Sequence, residues 1–170
     1  NNGSGVGGTG HPVNEELNIV VGTVTGFASI CVNGVEIHYA DSTPVKVDGV
    51  ESSPDNLKLG QVVIAHVNGV GNEVNAQTIQ VFHPVMGPIT SVDGVRGNIE
   101  ILGQQVVLPE KLYDQVNNHN VGQFVKVSGL FDASGQLVAS RLDTVVGDQK
   151  PSISGAVTSV NSSGFMINNL

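Results

Sequence analysis

The chain has 170 residues, a formal net charge of −8 with His neutral, 22 Gly, one Cys and no Trp. That length allows one medium domain or two small ones. The Val-rich composition, with no apolar run near the roughly 20 residues of a bilayer-spanning helix, excludes collagen, coiled-coil and membrane-helix classes. The acidic balance disfavours phosphate-binding surfaces, and a single Cys rules out a disulfide within the chain.

Residues 1–10 are almost wholly Asn, Gly, Ser and Thr. The stretch 1–16 reads as a flexible linker that buries too little apolar surface to fold. A linker of this kind follows the lipidated Cys of a bacterial lipoprotein, and equally marks any boundary placed in disordered chain. Its Gly3–Gly10 run lacks a Lys and a preceding strand, so it is not a phosphate-cradling loop. Glu15 and Glu16 read as solvating charges.

From residue 17 the pattern becomes β. Val, Ile and Thr alternate with polar residues, and the punctuation is Asn33-Gly34, Asp48-Gly49, Asn68-Gly69 and Asp93-Gly94, dipeptides that tolerate the positive φ of tight hairpin turns. A two-residue turn at Asn33-Gly34 puts Ile30, Val32, Val35, Ile37 and Tyr39 on one face and Cys31, Glu36 and His38 on the other. The only helical signals are Ser53-Pro54-Asp55-Asn56-Leu57, with Ser53 placed to cap and Pro54 at the first helical position, and Pro109–Val116.

The chain repeats itself. Gly22-Thr-Val-Thr-Gly-Phe-Ala-Ser-Ile-Cys-Val-Asn-Gly-Val returns as Gly87-Pro-Ile-Thr-Ser-Val with Asn98-Ile-Glu-Ile-Leu-Gly, and again as Gly155-Ala-Val-Thr-Ser-Val with Gly164-Phe-Met-Ile-Asn-Asn. Leu57-Lys-Leu-Gly60-Gln-Val-Val matches Asn120-Val-Gly122-Gln-Phe-Val, and Val74–Ile79 matches Leu137–Leu142. In the second copy Ile99, Ile101, Val106 and Leu108 take the apolar face and Glu100 stands where Cys31 does. This predicts an all-β chain: a linker (1–16), two tandem five-stranded OB-like barrels (17–84 and 85–147), and the start of a third, incomplete repeat (148–170). A β-sandwich is the competing architecture. The third copy stops at Asn168-Asn169-Leu170, aligned with the Asn33-Gly34-Val35 turn, so the chain is expected to end inside a hairpin, with one strand and no partner of its own. Either the natural protein continues, or this strand pairs with the preceding repeat or a neighbouring molecule.

The opening run from Gly22, the Leu57-Lys-Leu-Gly60 segment and Val138-Ala-Ser-Arg141 resemble a family of tandem β-barrel repeats of unknown function in bacterial exported proteins and lipoproteins. The resemblance covers roughly residues 20 to 170, with Ala28 replacing a usual Gly and the second copy's Val92–Gly97 lacking the Phe. Its motifs are glycines, turns and core positions. It implies export to the periplasm or cell surface and a non-enzymatic module, and supplies no catalytic residue.

Residue chemistry points the same way. His11, His38, His66, His83 and His119 form no close-spaced ligand pair with each other, Cys or a carboxylate, and read as solvated or interface histidines. His66 shares a strand face with Val62 and Ile64, where the second copy has Phe124, Lys126 and Ser128, so that face is read as solvent-facing in both copies. Cys31, opposite Glu36 and replaced by Glu100 and Met166 in the other copies, reads as an inert thiol. Lys46, Lys58, Arg96, Lys111, Lys126, Arg141 and Lys150 are scattered singly, and Tyr39 belongs to the core, against the cationic groove with stacking platforms that single-stranded nucleic acid requires. The expectation is therefore a non-catalytic exported module with no metal and no cofactor. Its partner is an envelope or extracellular component, met at the membrane only through an N-terminal lipid anchor, with self-association by strand addition. The rivals are a nucleic-acid-binding OB-fold and a metal-dependent hydrolase using His38, Glu36 and His66.

Overall fold

A computed structural model of the chain describes residues 18–26, 30–32, 34–168 and 170. The architecture is all-β, as the alternation predicts. Strands β1 (Asn18–Thr23), β2 (Ile30–Val32), β3 (Val35–His38), β4 (Val45–Val47), β5 (Val50–Ser52), β6 (Val62–Asn68) and β7 (Glu73–Val81) form a first sheet ordered β1-β6-β7-β3-β2, with β4 pairing β5 and β7. Strands β8 (Val85–Asp93), β9 (Asn98–Ile101), β10 (Gln104–Val107), β11 (Phe124–Phe131) and β12 (Leu137–Thr144) form a second, ordered β11-β12-β10-β9-β8. Pairing of β11 with β8 closes the second sheet into a five-stranded barrel, not one layer of a sandwich. Closure removes the free edges that such Val-rich strands would otherwise expose.

The hairpin faces follow the turn rule. Ile30 pairs with Ile37, Cys31 with Glu36 and Val32 with Val35, and Ile30, Val32 and Ile37 are fully buried. Asn33 lies outside the described residues. In the second sheet Ile99, Ile101, Val106 and Leu108 are at most 1% exposed. Each sheet wraps its own apolar cluster, the first around Ile37, Val63 and Ile79, the second around Ile89, Ile101 and Leu137.

The same backbone contacts recur in both sheets. Val24 N–H donates to Gln61 O and Gly60 N–H to Val24 O, at 2.8 and 2.9 Å; Ile89 N–H donates to Gln123 O and Gly122 N–H to Ile89 O, at 2.9 and 2.8 Å. Gly60 and Gly122 adopt φ of 85° and 88°, a left-handed conformation that glycine reaches without a Cβ clash.

The turn expected at Asp48-Gly49 joins β4 to β5, with φ of 51° and 83°, and the helical signal from Pro109 forms a 3₁₀ turn over Glu110–Leu112 running into α1 (Tyr113–Asn117). Three details depart from the sequence reading. The β4–β5 hairpin takes the first sheet to seven strands where a five-stranded barrel is expected. Ser53 precedes a 3₁₀ turn over Pro54–Asn56, but its side chain makes no capping bond. After β13 (Ser152–Ile153), which pairs with β8, strand β15 (Gly164–Ile167) does have a partner in the chain. It pairs antiparallel with β14 (Val157–Asn161), because the Asn161–Gly164 turn folds it backward.

Candidate functional site

A cluster of hydrogen-bonded polar side chains lies where the two sheets meet. The β4–β5 turn delivers Asp48, pinned by its own N–H donating to Val81 O at 3.0 Å. The Asp48 carboxylate accepts from His83 N–H at 3.0 Å and from the His83 Nδ1–H at 2.9 Å. It also accepts from Lys126 Nζ, on β11 of the second sheet, at 3.0 Å. Burial pushes the Asp48 carboxyl up, but the His83 ring and Lys126 outweigh it and hold the group at about 2, against an ordinary 3.8. His83 is 4% exposed. Its Nε2 is buried with no hydrogen-bond partner, so in the neutral ring the proton sits on Nδ1 and Nε2 is an enclosed acceptor.

A second clasp lies alongside. Arg141, on β12, donates through Nε and Nη2 to the two Asp143 carboxylate oxygens at 2.7 and 2.6 Å, and through Nη1 to Leu59 O, in the turn that leads into β6, at 3.1 Å. Lys58 Nζ reaches Asp143 at 3.7 Å, and Ser140 Oγ donates to Gly60 O at 2.6 Å. Burial raises the Asp143 carboxyl, yet Arg141 and Lys58 bring it below the usual carboxylate range. Between the clasps runs a cleft of about 930 Å³ whose walls carry Lys58, Lys126 and Lys150 against Asp48, Glu51, Asp143 and Asp148. Its cations face at least as many carboxylates, so it presents no cationic track for a phosphate backbone.

The remaining candidates are dispersed. Cys31 is half-buried opposite Glu36. The exposed His38 lies 4.0 Å from Glu73 and sits opposite Asn75 on β7, whereas the half-buried His66 sits opposite Thr78. The two lie on opposite sides of β7, offset by roughly 10 Å along the strand and by two strand spacings, roughly 10 Å, across it, too far for one metal ion to take both. His119 donates through Nδ1 to Gln115 O, and its Nε2 accepts from Thr144 Oγ1 at 3.2 Å. His11, Glu15, Glu16 and the Gly3–Gly10 run lie outside the described residues. Among the described residues no three His, Cys, Asp or Glu side chains gather as for a metal ion. Tyr39 packs against the first core. Three assignments of the His66 face are corrected: Val62 and Ser128 are fully buried, and Lys126, its side chain 20% exposed, is held in the junction.

The clasp residues were not visible as a group in sequence. Asp48 registers there as a turn residue and Lys126 as a scattered charge; the one signal available was Arg141 and Asp143 two apart on a strand, hence on one face.

Residues 86–143 match a family described as a domain of unknown function (DUF5666); the matched stretch runs from β8 to β12 and coincides with the closed barrel. No curated protein and no solved structure matches the chain.

Proposed function

We propose that this protein is a non-catalytic exported module, built from tandem OB-like repeats, that binds or assembles with components of the bacterial cell envelope or with extracellular components. The observation that carries the reading is the use of the junction charges. Asp48, Lys126, Arg141, Asp143 and Lys58 contact one another or backbone across the boundary between the sheets, so they fix one unit against the next and are not left free for a substrate. The like pairing order of the two sheets and the matched Gly60 and Gly122 turns support descent from one copied unit. Successive units held in fixed relation present surfaces at fixed spacing, where weak contacts add through effective concentration. Export and a lipid anchor rest on the family resemblance and on the linker composition of residues 1–16.

The test is co-sedimentation of the full chain with purified bacterial envelope fragments. The protein is expected in the pellet, displaced by excess unlabelled chain. Protein that stays in the supernatant with every envelope fraction overturns the reading.

A further inference from the structure

A second pocket opens at the same junction and shares no residue with the cleft between the clasps. Its volume is about 380 Å³, within the range of small-ligand sites. The first sheet's part of the chain supplies Thr23, at the end of β1, with Leu59 and Gly60 in the turn into β6. The second supplies Lys111 and Gln115, from the 3₁₀ turn and α1, and Arg141 from β12.

Charge separates this pocket from its neighbour. In the cleft three lysines face four carboxylates. Here Lys111 and Arg141 line the wall, and among the described residues no Asp or Glu does. Asp143 answers Arg141, but it also draws Lys58 to 3.7 Å, so one carboxylate stands against two cations. The Lys111 side chain has no ion pair and no hydrogen bond among the described residues. Glu110 and Asp114, its neighbours along the chain, are exposed and do not line the pocket.

Donors are left over as well. Arg141 gives three of its N–H groups to Asp143 and to Leu59 O, and a guanidinium carries five. The Thr23 and Gln115 side chains have no hydrogen-bond partner among the described residues. The molecule as a whole carries a net charge of −8. A recess that offers two cations and spare N–H and O–H groups, with no carboxylate in its wall, attracts a negative group where the rest of the surface repels it. Charge-assisted hydrogen bonds then hold that group.

We propose that this pocket binds a small oxyanion, a carboxylate or phosphate group, through Lys111 and Arg141, with Thr23 and Gln115 as neutral donors. Because Thr23 comes from one unit and the cations from the other, the bound anion bridges the junction. The site stands on this geometry and is independent of the envelope reading.

Amide chemical shifts of the full chain, followed during titration with sodium phosphate and separately with sodium acetate at constant ionic strength, test this. The shifts are expected to saturate and to concentrate at residues 23–25, 111–115 and Arg141. The salt that saturates at the lower concentration identifies which oxyanion the site prefers. Lys111→Gln is expected to weaken binding by about tenfold or more, and Lys111→Arg to retain it. Lys150→Gln removes a cation from the other cleft and is expected to bind like the parent. Lys111 is exposed and lies outside the apolar clusters, so its variants are expected to melt with the parent. Shifts that grow linearly without saturating, or that spread over the whole surface, overturn the proposal, as does a Lys111→Gln chain that binds like the parent. The titration contains no envelope material, so its failure leaves envelope binding standing and is read apart from it.

Discussion

Asp48 grips His83 twice, accepting from its backbone N–H at 3.0 Å and from its ring Nδ1–H at 2.9 Å, across 35 positions of sequence. His83 lies in the short connection between β7 and β8, so the contact fastens the linker between the sheets to a hairpin of the first. Lys126 then ties the same carboxylate to the second sheet. One carboxylate thus holds the first sheet, the connection and the second sheet together.

This arrangement makes stability depend on pH in a defined window. The Asp48 carboxyl titrates at about 2 when folded against an ordinary 3.8, so the unfolded chain binds more protons between those values. Its contribution is complete above about pH 5, falls as pH drops through 4 toward 2, and amounts to on the order of 1–2 kcal/mol. Asp48→Asn keeps a residue that tolerates the turn's left-handed backbone and removes the charge. Urea midpoints measured from pH 6 to 2 are expected to fall less steeply for Asp48→Asn than for the parent. Parallel curves would refute the role given to Asp48.

Much of the fold was legible because it is local. Period-two alternation and Asn-Gly or Asp-Gly turns placed Ile30, Val32 and Ile37 on the buried face correctly. The β9–β10 turn escaped that rule because Leu102, with φ of 53°, occupies its left-handed position, a conformation turn rules reserve for Asn, Asp and Gly. Ser128 was read as solvent-facing for a different reason. It sits opposite Arg141 and two residues from Lys126 on β11, so it shares the face that carries those two side chains into the junction. Contact between the units, which alternation does not register, takes that face out of solvent. The clasp was invisible because it joins Asp48 to Lys126 across 78 positions. Periodicity carries no information about contacts of that range.

Arg141 tests whether the second clasp depends on geometry or only on charge. Its guanidinium spans both Asp143 oxygens and still reaches Leu59 O, three bonds that a lysine's compact ammonium cannot reproduce together. Arg141→Lys preserves the charge and is expected to cost about 1–2 kcal/mol, read from urea denaturation at neutral pH. An unchanged midpoint would mean that charge alone suffices and that the fork does not organise the junction.

Gly60 and Gly122 provide an internal comparison, because the two share nearly one backbone conformation and differ in what surrounds them. At either position alanine meets the strain of positive φ, about 1–2 kcal/mol. A Cβ on Gly122 meets nothing within 4 Å, whereas one on Gly60 comes within 2.8 Å of Ser140 O and 3.0 Å of Arg141 Cβ. Backbone cannot yield as a side-chain tip can, so Gly60→Ala must either distort β12 or part the sheets, breaking the Ser140–Gly60 and Arg141–Leu59 bonds. Gly60→Ala is therefore expected to lower the denaturation midpoint clearly more than Gly122→Ala, with faster amide exchange at Arg141 and its neighbours in the first variant only. Equal losses in the two variants would show that the sheets do not press on one another at Gly60, and the rigid junction on which the spacing of the two units depends would fall with it.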